Sequence, residues 1–139
     1  MKTIIKVIIL LSISSVSFAQ SKVEEKAPLK RVDNAFDIMK RSAAQNTNYG
    51  VFMRIPSMSL GVYTLKKGEA DAQSPHTKDE IYYVIKGKAK ISVGTETYDV
   101  KEGSLIFVEA YKDHKFIDIR EDLAIVVFFS AEQAQVQKK

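Results

Sequence analysis

"SPHTKDEIYYVIKG", residues 74–87, places His76, one of only two histidines, directly after Pro75 and four positions before Glu80. The proline and the β-prone run IYYVI argue against a helix carrying both side chains on one face. The extended alternative has a strand ending near His76, a turn at Thr77, Lys78 and Asp79, and a new strand starting near Glu80. On neighbouring strands the two side chains can face the same side of a sheet and converge. An imidazole nitrogen and a carboxylate oxygen meeting there are good ligands for a divalent first-row metal. The four-residue spacing alone is weak evidence, since a lone His near a Glu is more often a hydrogen-bonded pair or simply exposed.

Outward from this stretch, the apolar pattern has period two from Tyr49 onward. "YGVFMRI", "MSLGVYTL", "IYYVI", "KAKISV", "ETYDV", "SLIFV", "HKFIDI" and "LAIVVFF" are eight short runs rich in Val, Ile, Phe and Tyr. Turn signals such as IPS, KKGE, KGK, VGT and KEG separate them. Strands at this spacing predict an all-β sandwich or barrel over residues 49–130. "LAIVVFF" is apolar on both faces, which suits a strand packed between sheets or at a dimer contact. The second histidine, His114, lies in "EGSLIFVEAYKDHKFID", again at a strand start after a tight connection, so both histidines of the chain belong to the β region.

Upstream, "VDNAFDIMKRSAA" spaces Val32, Phe36, Met39 and Ala43 at helical intervals, with Asp33 placed to cap the first turn. One short amphipathic helix follows a flexible, polar lead-in, the two together occupying residues 20–48. The first 19 residues carry Lys2 and Lys6, an apolar run from Val7 to Leu11, and small residues ending in Ser17, Phe18 and Ala19. That is the pattern of a secretory signal peptide cleaved after Ala19. A secreted or periplasmic protein, free of the membrane once cleaved, is the expectation. The polar tail, residues 131–139, is expected to fray.

At 139 residues and 45% apolar content, the chain suffices for one domain with one core. Its formal charge of +4 falls by two when the leader leaves, and the remaining basic residues are scattered, which argues against a nucleic-acid partner. The absence of cysteine excludes disulfides, thiolate metal sites and thiol catalysis. No G-x-S-x-G elbow supports a serine nucleophile, and the six glycines punctuate turns without forming a phosphate-cradling G-x-G-x-x-G.

Two spaced motifs resemble the cupin superfamily. Its first runs G, five residues, H-x-H, three or four residues, E, six residues, G. This chain has Gly68, five residues, Ser74-Pro75-His76, three residues, Glu80, six residues and Gly87. The second runs G, five residues, P-x-G, two residues, H, three residues, N. Here stand Gly103, Glu109-Ala110-Tyr111, His114 and Asp118 at the same intervals. The likeness spans Met58 to Ser130, and the P-H-x-x-D-E variant is similar to that of small single-domain bacterial cupins. It implies a conical β-barrel of two antiparallel sheets, with His76, Glu80 and His114 as ligands of one divalent transition metal: iron, manganese, zinc or nickel.

Ser74 stands where the family has a third histidine, and its hydroxyl is too weak and short to replace one, so the implied site is open. Two histidines and one carboxylate with free positions suit oxygen activation at iron(II), but zinc, manganese and nickel accept the same ligands. With Glu80 inward, alternation also turns Tyr82 and Val84 inward, and Phe116 shares the face of His114. Tyr82 and Phe116 are thus candidate walls for a small-molecule ligand, Tyr82 also being an ordinary core residue. Tyr111 is a candidate contact at the rim. Asp79 is assigned to the turn, and alternation aims Gln73 outward. The resulting expectation is an exported metal-binding cupin, an oxidoreductase or isomerase of a small molecule; the alternative is a non-catalytic binding or sensing module. The resemblance also implies a homodimer, to which Tyr49 to Ile55 would contribute.

Overall fold

The computed structural model describes residues 29–132; the expected signal peptide and most of the polar tail lie outside them. In chain order the elements are α1 (Ala35–Ala44), β1 (Tyr49–Ile55), β2 (Met58–Leu65), β3 (Lys78–Val93), β4 (Glu96–Lys101), β5 (Leu105–Val108) and β6 (His114–Glu132). All strand pairs are antiparallel. The protein is an all-β barrel with one short helix, as the sequence predicts.

Six strands carry the eight runs, because KGK and the RED between HKFIDI and LAIVVFF interrupt the apolar pattern without ending a strand. IYYVI and KAKISV form the single strand β3, and HKFIDI and LAIVVFF form β6. Along β3 the inward residues are Glu80, Tyr82 and Val84, then Ala89 and Ile91, so the buried parity changes across Lys86–Lys88. The pairing of β3 with β6 slips register over the same residues. Such an irregularity bends a strand and sharpens its twist. Gly87, at φ 98°, takes the bend, and a Cβ there would collide with the Asp122 carbonyl. In β6 the inward parity changes between Phe116 and Ile119, with Asp118 at φ 47°. Asp and Asn tolerate that left-handed backbone better than most residues, which accounts for an Asp at the motif's Asn position.

These two bent strands fold one sheet over on itself. Their halves around Glu80 and Phe129 pair with β5 and β2, and β2 in turn pairs with β1; the halves around Ile91 and Phe116 carry β4. Tyr82, Val84, Ala89, Ile91, Val100, Val108, Phe116, Ile119, Leu123, Ile125 and Val127 fill the space between. The helix packs outside. Asn34, rather than Asp33, caps it, its Oδ1 accepting the Phe36 N–H at 2.9 Å. Asp33 is occupied by Lys30 and Arg41. The buried helical face is Ile38 and Ser42, over Gly50 of β1, while Val32 and Phe36 remain 82% and 50% exposed.

Candidate metal centre

His76 lies in the segment between β2 and β3, two residues before β3, and not on a preceding strand. Two backbone contacts hold it: the Tyr111 N–H donates to the His76 carbonyl at 2.7 Å, and the His76 Nδ1–H donates to the Lys78 carbonyl at 2.9 Å. Glu80 is the first inward residue of β3 and is 1% exposed. His114 opens β6, 2% exposed, and its Nδ1–H donates to the Lys112 carbonyl at 2.8 Å. The ring centroids of His76 and His114 are 5.0 Å apart. One ligand atom from each of the three residues lies within 4.8 Å of the other two.

The backbone carbonyls fix the imidazole tautomers. A carbonyl only accepts, so Nδ1 carries the proton in each ring and Nε2 presents a lone pair. Both Nε2 atoms then face one carboxylate oxygen, Glu80 Oε2, at 2.8 Å from His76 and 3.2 Å from His114. With both rings neutral, three lone-pair donors aimed at one point repel one another unless a proton or a metal ion sits among them; between His76 Nε2 and Glu80 Oε2, at 2.8 Å, a shared proton makes a hydrogen bond. Two buried atoms of the group, His114 Nε2 and the other Glu80 oxygen, Oε1, have no hydrogen-bond partner among the described residues; the 3.2 Å contact of His114 Nε2 with Oε2 is close in distance but not aligned as a hydrogen bond. The donor set therefore fits a divalent transition metal. With only a proton to fill the gap, burial opposes a charge on His114, but the Glu80 carboxylate 3.2 Å away, the bond to the Lys112 carbonyl and the charge of Asp71 outweigh it. They hold its pKa above the usual imidazole value of 6.5.

Beside the centre is a chamber of about 220 Å³ lined by Tyr49, Tyr63, Gln73, Glu80, Val127 and Phe129. Phe129 meets the His76 ring edge-on, with centroids 5.1 Å apart. A larger cavity of about 580 Å³ lies elsewhere, between α1 and the barrel, and no imidazole lines it. Of the expected wall residues, Tyr82 and Phe116 are fully buried beneath the centre, their rings packed at 5.2 Å. Tyr111 sits in the loop before His114 at φ 65°, 40% exposed, and serves His76 through its backbone N–H. None of these three lines the chamber.

Gln73 does line it, contrary to the outward orientation expected from alternation, because residues 66–77 are not a strand and alternation does not apply. Ser74 beside it is exposed and contributes no ligand. Sequence reading also missed Asp71. Its carboxylate accepts from the Tyr63 hydroxyl at 2.8 Å, the Gln73 N–H at 3.1 Å, Gln73 Nε2 at 2.8 Å and the Phe116 N–H at 2.8 Å. That buried clasp ties the His76 segment to the start of β6, two residues from His114. The Tyr82 hydroxyl donates to Gln73 Oε1 at 2.8 Å. Asp79 faces away from the centre, its carboxylate accepting the Ala110 N–H at 2.9 Å. Burial, then the charge of Glu80 for Tyr82 and the bond to Asp71 for Tyr63, push both phenols well above the ordinary tyrosine value.

Comparison with known proteins agrees with this architecture. Residues 61–129 match the cupin domain family. An uncharacterized protein of Streptomyces coelicolor is 47% identical over 88 residues, which is 63% of this chain and 84% of that one. Among solved structures, the TT1209 protein of Thermus thermophilus superposes with a TM-score of 0.61 at 17% identity, over 75% of this chain and 100% of that one. An RmlC-like cupin from Shewanella frigidimarina gives 0.54 at 16% identity, over 61% and 76%. At such identities the two structures speak for the fold alone. With the barrel, the paired motifs and the matched domain in agreement, the chain belongs to the cupin superfamily.

Proposed function

We propose that the protein is exported and holds one divalent transition metal through His76, Glu80 and His114, with its open coordination side turned to a small oxygen-bearing ligand. The observation that carries this reading is the pair of buried, unpartnered atoms, Glu80 Oε1 and His114 Nε2, in a ring of donors whose other nitrogens are fixed by carbonyls. A divalent metal supplies Lewis acidity and exchangeable positions there. The protein's residues orient the ligands, exclude water with Tyr82 and Phe116 below, and leave the chamber as the approach. An oxidoreductase or isomerase acting on a small molecule is the reaction class proposed, and the leader "MKTIIKVIILLSISSVSFA" supports a secreted or periplasmic location.

Elemental analysis of protein recovered from the exported fraction, beside His76→Ala and His114→Ala, tests the centre. Metal near one equivalent in wild type and lost from both variants is expected; equal content in all three overturns the assignment. A second reading, a binding or sensing module without turnover, draws on the phenols. Tyr63 and Tyr82 donate their hydroxyl protons to Asp71 and Gln73, and among the described residues that line the chamber Glu80 is the one carboxylate, so no second acid or base stands there. Pairing as a homodimer is proposed through β3 and β5, where Ile81, Tyr83, Leu105 and Phe107 are exposed and adjacent. Light scattering that gives a monomer mass removes that proposal.

A further inference from the structure

We infer that the chamber selects a small monoanion with a flat apolar body, a carboxylate or enolate type of ligand, and discriminates against sugars and phosphorylated compounds. The inference rests on the metal reading above and concerns what the protein's own residues offer beside that centre. At about 220 Å³ the space equals roughly seven water volumes, below the usual range for drug-sized ligands, so one ring with a short substituent fills it. Its sides are the rings of Tyr49, Tyr63 and Phe129 with Val127.

The polar offer is one-sided. Asp71 only accepts, so Gln73 Nε2 must face it and Oε1 must take the Tyr82 proton; the amide cannot flip. One Gln73 N–H then remains. The Tyr63 hydroxyl gives its proton to Asp71 and can only accept from a ligand. Among the described lining residues this leaves a Gln73 N–H and the Tyr49 hydroxyl as donors, two acceptor oxygens on Tyr63 and Gln73, and the Glu80 carboxylate, which would hold the metal. A sugar would bury several hydroxyls against too few partners, each unpaired group costing affinity. Charge completes the argument. Two neutral imidazoles and one carboxylate around a divalent ion leave a single positive charge, which one oxyanion neutralises. Among the described residues no lysine or arginine lines the chamber to meet a second negative charge, and an uncompensated charge in an apolar space is strongly disfavoured.

Calorimetry on the zinc-loaded protein, its metal content measured in the same sample, tests this with benzoate, acetate, glucose and glucose 6-phosphate. Benzoate is expected to bind at least about tenfold more tightly than each of the others. Phe129→Ala, with metal content retained, should erase most of the margin over acetate. Metal bound but benzoate no tighter than acetate or glucose 6-phosphate overturns the inference and leaves the metal centre standing. A loaded sample that holds no zinc overturns both. A benzoate preference unchanged in Phe129→Ala places the ligand elsewhere and also overturns it.

Discussion

Glu80→Gln separates what the centre costs the barrel from what a metal returns to it. Without metal, the wild type buries a carboxylate with one unpartnered oxygen beside two Nε2 lone pairs. Such an unsatisfied buried group costs about 1–3 kcal/mol, and more when charged. Glutamine keeps the shape, removes the charge, and turns its NH₂ toward the two nitrogens that require donors. In chelator, Glu80→Gln should therefore be more stable than wild type by about 1–3 kcal/mol. For a domain near a hundred residues this raises the melting temperature by about 5–20 °C.

Metal reverses the order. At a free concentration a hundred times its Kd, metal adds about 2.7 kcal/mol to the wild type, whereas the variant lacks the charged ligand and should not respond. The sign with pH follows from His114. Its folded pKa lies above 6.5, so the imidazolium beside the Glu80 carboxylate contributes stability that is complete below 6.5 and is lost as pH rises through the folded value. The variant's advantage in chelator should therefore be largest near about pH 8.5 and shrink toward about pH 6. Scanning calorimetry at both pH values, with chelator and with zinc, makes the comparison. A chelated variant that melts below chelated wild type at the higher pH refutes the reasoning, since it would mean that the carboxylate is satisfied within the protein itself.

Asp71→Asn should cost about 2–4 kcal/mol in urea unfolding, because an amide cannot accept from all four donors that converge on the carboxylate. Metal affinity should fall with it as the His76 segment loosens; unchanged stability would show that the clasp is not formed. Gly87→Val should destabilise by more than about 3 kcal/mol, since the position combines φ 98° with contact against the Asp122 carbonyl, and circular dichroism melting reads the effect. Metal affinity should weaken as pH falls through the raised His114 pKa, because a proton and the ion compete for Nε2; isothermal titration that finds it flat between about pH 8 and pH 5 would refute this.

What could be read in advance is what depends on local pattern. Inward Glu80, Tyr82 and Val84 follow from a period of two, and the paired motifs place His76, Glu80 and His114 on the same barrel ends. What could not be read depends on chain that obeys no period. KGK looks like the end of a strand; only the β6 backbone pressed against Gly87 makes it a bend within one, and that contact is long-range. The helix presents Phe36 and Met39 at good spacing, but Ile38 faces the sheet because the close approach is set by Gly50 on β1.

The same limit hid the chamber wall. Asp71 and Gln73 lie in a segment that belongs to no helix or strand, so no periodicity says where their side chains point; the direction is decided by donors on Tyr63, Tyr82 and Phe116, elsewhere in the chain. A buried carboxylate in irregular backbone persists because its hydrogen-bond partners offset the cost of its desolvation. The centre thus rests on two carboxylates of opposite kind. Asp71 is saturated by the protein and holds the segment in place, while Glu80 is left short by the protein and has an oxygen to give.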